Sequence, residues 1–468
     1  MTIRFGTSGW RAVIADEFTF AGVRLVTRAI CEHLRSSSAD ENSLIIVGYD
    51  TRFLGERFAA ECVKEVVGHG FRAYLCDHPT PTPTISHAIR SNQAIGGINF
   101  TASHNPPEYN GIKFSTADGA PALPEITKRV EQLILKIQTQ EETDNRAGRN
   151  AGAESYDPRP AYLADLSNKI RFDLIAQAGN RYAYDPLWGT GRGYLDKALQ
   201  MHDIEVKTIH DWRDVMFGGR SPEPESSHLE ELREVMANNK CALGMATDGD
   251  GDRFGVLDSD GTFITPNQLI ALLFDYLAES RGWTGGVARS VATSHLVDRV
   301  AENRGLPLYE TPVGFKFIGE LINEDKIILG GEESAGMSIK GHYPEKDGIL
   351  ACLLAAEAVA ARGASLGEQL DDVYTRVGRL ESGRLGVRLT PEIAASLPEK
   401  LKQEPTEIGG RPIKLTNRMD GVKFIFEDGS WLLLRPSGTE PLVRVYAETE
   451  SNKDLEVLLE QGRKYLLD

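Results

Sequence analysis

The 468-residue chain contains four short polar loops whose residue types could do chemistry together. Their sequences are TASHNP at residues 101–106, DGDGDR at 248–253, GEESAG at 331–336 and RPSGTEP at 435–441. In that order they offer a nucleophilic serine, a metal site, acceptors for sugar hydroxyls and a phosphate clamp. Because these groups complement one another, we expect the four loops to line one cleft.

The first loop places Ser103 among turn-forming residues, where its hydroxyl could carry a transferable phosphoryl group. A surface turn with a capping serine is the alternative. A hydrolase is disfavoured, because adjacent Ser103 and His104 side chains rarely point at each other and the chain has no G-x-S-x-G sequence. Downstream, Lys113 lies on a predicted strand. His104 and Lys113 are the candidates for general acid and base.

The second loop alternates Asp248, Asp250 and Asp252 with glycine. Carboxylates this close repel one another unless a cation lies between them. An EF-hand is excluded, because its sixth and twelfth positions would be Arg253 and Ser259 instead of glycine and glutamate. The loop therefore predicts a Mg²⁺ site that leaves room for a phosphate oxygen, with Arg253 able to meet the same phosphate. A solvated acidic turn is the alternative.

The third and fourth loops predict binding of a sugar and of a phosphate. Glu332, Glu333 and Ser334 offer oxygen acceptors to paired hydroxyls, although such a sequence is also common on surfaces. The fourth loop combines a guanidinium, two hydroxyls and a glycine that permits close backbone approach, which suits phosphate. Its candidate ligands are Arg435, Ser437, Gly438 and Thr439. Arg444, on the following predicted strand, could reinforce this clamp or be exposed.

A pattern of short apolar strands alternating with amphipathic helices occurs three times. Alternation of this kind predicts βαβ units with mixed, mostly parallel sheets. In each copy the third strand leads directly into one of the first three loops, and ligands of open α/β sheets bind at the carboxyl ends of the strands. The remainder of the chain predicts a hairpin with an Asp-Gly turn at 428–429, another strand at 442–448 and a closing helix at 454–467.

These patterns predict a chain of three related α/β domains followed by a smaller α+β domain around a central cleft. We place the domains at residues 1–150, 151–258, 259–370 and 371–468. Candidate linkers are residues 138–153, the segment near Asp258 and residues 367–376. A length of 468 residues fits several domains better than a single core.

The composition excludes several classes of function. A net charge of -16 argues against a nucleic-acid surface. The five cysteines are far apart and lack a CxxC pair, which indicates reduced thiols and a cytoplasmic protein. The longest apolar run, 349–361, is too short for a membrane span and predicts a buried helix. No obligate protein partner is indicated.

The chain does not match either of two common sequence motifs for binding the phosphates of nucleotides. The GTGRG sequence at 189–193 is followed by Tyr194 where a dinucleotide fingerprint needs glycine. The chain has no G-x-x-x-x-G-K-[ST] sequence, so a nucleotide P-loop is absent.

In the order and content of its four loops, nearly the whole chain resembles the α-D-phosphohexomutases. This resemblance implies four domains around one cleft, a phosphoserine at Ser103 and Mg²⁺ bound by Ser103, Asp248, Asp250 and Asp252. It further implies that Glu332 and Ser334 contact the sugar and that Arg435, Ser437, Gly438 and Thr439 hold the distal phosphate. Arg11, in the stretch FGTSGWR, would contribute to the active site.

Finer resemblances favour a glucose-specific member of this family. They lie in FGTSGWR, in TPVGFK around Lys316, in the Glu-Glu-Ser form of the third loop and in EKDG around Lys346. We expect Lys316 and Lys346 to bind substrate. Met337 replaces the histidine usual in bacterial dual-specificity phosphomannomutases, which disfavours mannose.

The implied reaction interconverts glucose 1-phosphate and glucose 6-phosphate through glucose 1,6-bisphosphate, which is also the activator. A phosphomannomutase or phosphoglucosamine mutase is the alternative within the family. From another class, a catalytically silent phosphosugar-binding regulator is possible, although it would need neither nucleophile nor metal.

Overall fold

The computed structural model describes residues 3–6, 9–37, 40, 42–139, 153–437 and 442–467. They form four units, each built on its own sheet. The first unit contains β1 (Trp10–Val13), α1 (Phe20–Ser36), β2 (Leu44–Tyr49), α2 (Gly55–Gly68), β3 (Arg72–Cys76), α3 (Thr82–Ser91), β4 (Gly96–Phe100), β5 (Tyr109–Thr116), α4 (Pro124–Thr139) and β6 (Ala153–Tyr156).

The second and third units follow in chain order. The second contains α5 (Arg159–Lys169), α6 (Phe172–Gln177), β7 (Tyr182–Asp185), α7 (Leu195–Gln200), β8 (Val206–Thr208), α8 (Glu230–Asn239), β9 (Leu243–Thr247), β10 (Phe254–Leu257) and β11 (Phe263–Ile264). The third contains α9 (Pro266–Arg281), β12 (Gly286–Ser290), α10 (Leu296–Arg304), β13 (Leu308–Thr311), α11 (Phe315–Asn323), β14 (Ile327–Glu332), β15 (Gly336–Ile339), α12 (Gly348–Arg362) and α13 (Leu366–Val377).

The fourth unit is an antiparallel sheet covered by helices, as the sequence predicts. It contains β16 (Glu381–Arg388), α14 (Pro391–Lys402), β17 (Glu407–Ile408), β18 (Arg411–Asn417), β19 (Val422–Phe426), β20 (Trp431–Pro436), β21 (Leu442–Thr449) and α15 (Asn452–Leu467). Its strand order is β16-β21-β20-β19-β18-β17. The Asp-Gly turn joins β19 to β20, with Gly429 at a φ of +85°.

The first three units share one topology. Each has a core of three parallel strands with the first strand in the centre: β3-β2-β4, β8-β7-β9 and β13-β12-β14. In each, an antiparallel strand returns beside the third parallel strand. The first three candidate loops are the connections β4–β5, β9–β10 and β14–β15. The prediction that each loop leaves the carboxyl end of a third strand is confirmed.

The second and third units are joined by a common apolar core. Helix α12, which is the apolar run read from the sequence, is buried along most of its length and packs on β9 and β10 of the second unit. One continuous cluster of buried side chains extends through both units. In the described residues no single helix is long and apolar enough to cross a membrane; α12 and α13 meet that test only when taken together, with a bend of 79° between them.

Two of the three predicted linkers are wrong. Residues 367–376 belong to helix α13, which a capping box at Ser365 and Glu368 begins and whose Leu366, Leu370 and Val373 are buried. The acidic residues between them hide this helical spacing. Asp258 lies in the turn between β10 and β11 of one sheet, and its carboxylate accepts from the backbone N–H groups at the start of α13.

The proposed domain limits fall close to these elements without matching them. The limit at 370 lies within α13, and the limit at 258 lies within the β10–β11 hairpin. Strand β6, which follows the limit at 150, still pairs with β3 of the first sheet. Most of the remaining linker, residues 140–152, lies outside the described residues.

A buried carboxylate ties together the helices of the third unit. Asp275 on α9 is fully buried and pairs with three arginines from other helices. The distances are 2.7 Å to Arg304 Nε, 3.1 Å to Arg362 Nη2 and 2.9 Å to Arg376 Nη2. Removing the carboxylate leaves three guanidinium groups whose remaining counter-charges, Glu279 and Asp372, are both exposed.

We therefore expect Asp275→Asn to lower stability by about 3 kcal/mol, near the low end of the range for a broken buried ion pair, because the arginines keep some contact with water. Glu279→Gln is the matched control. Glu279 meets two of the same arginines but is mostly exposed, so the loss should stay below about 1 kcal/mol. Thermal unfolding of both variants measures the difference; equal losses would contradict this assignment.

Candidate active site

Ser103 lies directly after β4 in a strained conformation. Its φ is +52°, a value that residues with a side chain adopt rarely and that clusters at functional sites. The backbone N–H donates to Thr101 Oγ1 at 2.8 Å. The Ser103 hydroxyl is buried and donates to Asp248 Oδ2 at 2.7 Å. The serine and the aspartate loop are therefore in direct contact.

The three aspartates form a buried, partly unsatisfied cluster. Asp248, Asp250 and Asp252 are each fully buried, and one ligand oxygen from each lies within 4.8 Å of the others. Within the described part of the chain, Asp250 Oδ1 and Asp252 Oδ1 have no hydrogen-bond partner. Orphaned carboxylate oxygens are costly in a protein interior. Their chemistry suits a hard divalent cation, so the residues present fit the predicted metal site.

Two lysines from different units compensate part of this charge. Lys113 Nζ on β5 donates to Asp250 at 2.6 Å and to Asp252 at 2.8 Å, and Lys346 Nζ donates to Asp252 at 2.7 Å. Burial opposes the charge on Lys113, but the two carboxylates outweigh it and raise its pKa. Burial together with the charges of Asp250 and Asp252 raises the pKa of Asp248 well above its usual range.

Arg11 and His104 flank the serine. Arg11 Nη1 on β1 donates to Asn105 Oδ1 at 2.7 Å. His104 Nδ1 is 3.4 Å from Ser103 Oγ, so the adjacent side chains do approach each other. Burial, with help from Arg253 and Arg11, lowers the pKa of His104 well below its usual value. The imidazole is therefore neutral near pH 7.

Lys316 and Lys346 lie beside a small cavity of about 30 Å³ between the first and third units, which Lys113 and Glu345 also line. Burial lowers the pKa of Lys316, at the start of α11. Burial also raises the pKa of Glu345 to about 7. Three lysines predicted from the sequence, Lys113, Lys316 and Lys346, therefore line one small cavity next to the aspartate loop.

The two glutamates of the third loop are held by backbone and hydroxyl groups. Glu332 is buried at the end of β14, where its Oε1 accepts from Gly314 N at 2.7 Å. Glu333 Oε2 accepts from Ser290 Oγ at 3.1 Å and Thr293 Oγ1 at 3.3 Å. Burial and the neighbouring Glu333 charge raise the pKa of Glu332 to about 7.

Arg253 and Ser334 meet at a larger cavity of about 440 Å³ between the second, third and fourth units. Arg253 Nη1 donates to Glu223 Oε1 at 2.9 Å, and its backbone N–H donates to Asp248 Oδ1 at 3.1 Å. Trp431 and Tyr446 of the fourth unit line the opposite wall. This cavity adjoins the second and third loops, while Ser103 and the three aspartates lie outside its lining.

The predicted phosphate clamp lies where β20 ends and β21 begins, on two inner strands of the fourth sheet. Arg435 on β20 is the register partner of Arg444 on β21. Like charges directly opposite each other destabilise a strand pair unless an anion lies between them. Arg435 Nε donates to Asp420 Oδ2 at 2.9 Å, and the same oxygen accepts from Val313 N at 3.0 Å. Ser437 follows β20, and Gly438 and Thr439 lie outside the described residues.

Three further residues of the site were not identified from the sequence. Thr82 Oγ1 donates to Asp250 Oδ2 at 2.5 Å, Glu345 is buried beside Lys346, and Arg52 binds the backbone of the serine loop. Two of them left a signal: the sequence DTR, with Arg52, follows the first strand of a repeat at a carboxyl end, and Glu345 begins the EKDG sequence. Thr82 carries no such mark.

Family models match almost the whole chain in four consecutive parts. They are described as phosphoglucomutase/phosphomannomutase α/β/α domain I (residues 2–141), domain II (160–261), domain III (265–377) and the C-terminal domain (390–463).

Individual proteins agree with these matches. A phosphoglucomutase of Komagataeibacter xylinus is 30% identical, covering 96% of this chain and 87% of its own length. A phosphoglucomutase/phosphomannomutase of Thermococcus kodakarensis is 29% identical, covering 99% and 98%. The crystal structure of a provisionally named phosphomannomutase from Thermus thermophilus is 34% identical over the full length of both chains, with a TM-score of 0.87.

The four-unit fold, in which the serine and aspartate loops meet, is that of a phosphohexomutase. The chain belongs to the phosphoglucomutase/phosphomannomutase family, and it is a mutase of the isomerase class. The family resemblance, the fold class and the enzyme class predicted from the sequence are confirmed. The individual site residues remain predictions.

The raised pKa of Glu332 predicts a pH-dependent stability. Its ordinary pKa is 4.5 and its folded value about 7, so the folded state retains a proton that the unfolded chain has lost. The stabilisation is fully present below pH 4.5 and is lost as pH rises through 7. Relative to Glu332→Gln, the wild type should lose up to about 3 kcal/mol over this interval. Unfolding midpoints of both proteins between pH 5 and 8 test this; a constant difference would contradict it.

Proposed function

We propose that the enzyme interconverts glucose 1-phosphate and glucose 6-phosphate with Ser103 as the phosphoryl carrier. The observation that supports this proposal most directly is the 2.7 Å contact between Ser103 Oγ and Asp248, within a buried cluster of three carboxylates. A hydroxyl in that position has no role in a simple binding protein. It suits a group that gains and loses a phosphoryl beside a cation.

The proposed metal is Mg²⁺, held by Asp248, Asp250 and Asp252 together with the phosphorylated Ser103 side chain. Bound there, Mg²⁺ would neutralise negative charge on the transferring phosphoryl group. The unpartnered oxygens of Asp250 and Asp252 support this assignment. Lys113 and Lys346 hold the remaining carboxylate charge, so the loop keeps its shape.

In the proposed reaction, phosphorylated Ser103 donates its phosphoryl group to the free hydroxyl of the sugar phosphate. The P–O bond to Ser103 breaks, a P–O bond to the sugar forms, and the hydroxyl proton passes to a base. Neutral His104, whose Nδ1 lies 3.4 Å from Ser103 Oγ, can accept that proton and pass it to the Ser103 oxygen as it leaves, and the same path runs backwards in the reverse step. Lys113, which remains charged, is the other candidate donor. The glucose 1,6-bisphosphate formed turns end for end, and its other phosphate returns to Ser103.

The remaining predicted residues would hold the sugar and the non-reacting phosphate. Glu332 and Ser334 lie in the loop between β14 and β15 and would bind hydroxyls, with Lys316 and Lys346 nearby. The facing Arg435 and Arg444 would bind the distal phosphate with Ser437, Gly438 and Thr439. Arg11 contacts the serine loop and Arg253 belongs to the aspartate loop, and both would stabilise the transferring group.

The proposed preference for glucose rests mainly on motif resemblance and, to a smaller extent, on the position of Met337. Met337 is fully buried in the shared core beside α12, so its thioether faces apolar side chains instead of the sugar. Similar proteins carry the names phosphoglucomutase, phosphomannomutase and phosphoglucosamine mutase. Assays with the 1-phosphates of glucose, mannose and glucosamine, primed with the matching bisphosphate, decide among them. We expect the highest kcat/KM with glucose 1-phosphate; a higher value with either other sugar would overturn this choice.

Ser103→Ala should abolish turnover of every sugar phosphate and prevent protein phosphorylation by glucose 1,6-bisphosphate, with folding unchanged. Ser86→Ala is a matched control, because Ser86 is also buried and donates one hydrogen bond, to Gly119 O at 2.8 Å. That control should lose about 1 kcal/mol of stability and keep its activity. An active Ser103→Ala enzyme would disprove the phosphoserine role. A wild type that binds phosphosugars without turnover would indicate the regulator instead.

A further inference from the structure

Arg52 is a fully buried arginine that directs four of its five N–H groups at one loop. It follows β2 at the carboxyl edge of the first sheet, with no side-chain exposure. Nε donates to Asp50 Oδ2 at 3.1 Å. The four remaining N–H groups donate to four backbone carbonyls of the segment after β4: Ser103 O and Asn105 O at 2.6 Å each, Pro106 O at 2.7 Å and Tyr109 O at 3.0 Å.

Three of these carbonyls, those of Ser103, Asn105 and Pro106, lie in the irregular segment between β4 and β5, outside the strands. A guanidinium is planar and carries five donors in a fixed fork, so it imposes a geometry on the groups that it binds. An ammonium has three donors and no such fork. Arg52 therefore fixes four points along the segment that carries Ser103, whose φ is an unfavourable +52°.

The second unit closes over the same arginine. The Phe217 ring lies 5.0 Å from Arg52 Cζ. Arg213 donates to Thr51 O at 3.2 Å and to Arg52 O at 3.3 Å. A few residues later, Pro222 O accepts from Gly249 N at 3.2 Å. One segment of the second unit thus contacts both Arg52 and the aspartate loop.

The serine and aspartate loops also meet backbone to backbone. A Cβ built on Gly249 would lie 2.6 Å from Ser103 O, the carbonyl that Arg52 binds. Small shifts of the serine loop would therefore change the distance between Ser103 Oγ and Asp248. The geometry of the contact between Ser103 Oγ and Asp248 thus depends on Arg52, although the Arg52 side chain contacts neither of these two groups.

We propose that Arg52 is a positioning residue that sets the serine loop so that the Ser103 hydroxyl meets the aspartate cluster. The proposal rests on the phosphoryl-carrier role proposed for Ser103. Loss of the fork should lower the rate of phosphoryl transfer and leave sugar-phosphate binding largely intact, because the sugar and phosphate loops belong to other units.

The test compares Arg52→Lys and Arg52→Ala with Arg281→Lys. Arg281 is a matched control: it is also largely buried and binds a carboxylate, Glu357, at 2.6 Å, outside the site. We expect kcat to fall about 100-fold or more in both Arg52 variants, as for a displacement of about 1 Å at a reacting group. KM should change little, and millimolar guanidinium should restore much of kcat in Arg52→Ala. The control should keep its kcat.

Amide hydrogen exchange provides a second readout that needs no substrate. Exchange in residues 101–109 should accelerate in Arg52→Ala, return towards the wild-type rate with guanidinium and remain normal in Arg281→Lys. Unchanged kcat in Arg52→Lys, or a loss that guanidinium does not restore in either readout, would overturn the proposal. If the wild type turned over none of the three sugar phosphates, the proposed function would fail while the exchange comparison still tested Arg52.

Discussion

Three carboxylates buried in one six-residue loop are the constraint on which the rest of the structure depends. Buried like charges are tolerated only when cations compensate them, since each unpaired charge costs several kcal/mol. Here the compensating groups come from different parts of the chain: Lys113 from the first unit and Lys346 from the third. The aspartate loop of the second unit is therefore the point at which three units must meet. The same charge makes the loop suitable for a divalent cation.

The four units are connected by contacts of different kinds and extent. The second and third units share a continuous core through α12. The first unit has its own core and joins the second through polar contacts at the site, among them Thr82 and Lys113 with Asp250. The fourth unit also has its own core and meets the third through a small apolar cluster around Trp431. A domain attached by a limited interface is expected to move as a unit, which would let the clamp close over a ligand.

Much of this organisation was predictable because it is local in sequence. Strand and helix periodicity gave the three repeats, and the carboxyl-end rule located the loops before any contact was known. The same local reasoning failed where tertiary contacts decide. The acidic residues of α13 suggested a linker, although the other face of this helix is buried. Asp258 suggested a domain limit, although its carboxylate caps the same helix.

The contacts of Arg52 and Thr82 are a second kind of feature that could not be predicted from the sequence. Their roles depend on which side chain a distant loop brings within hydrogen-bond distance, and spacing along the chain does not encode this. Arg52 satisfies carbonyls more than fifty positions away, and Thr82 meets an aspartate of another unit. We infer that both help to orient the groups that react in the proposed mechanism.

In the proposed mechanism, the phosphoryl group on Ser103 lies against a metal ion held by the three aspartates. Phosphorus NMR of the protein phosphorylated by glucose 1,6-bisphosphate tests it directly. With Mg²⁺ a phosphoserine resonance should be visible, and replacing Mg²⁺ by paramagnetic Mn²⁺ should broaden it beyond detection. A phosphoserine resonance that stays sharp in saturating Mn²⁺ would place the phosphate away from the metal and contradict the account.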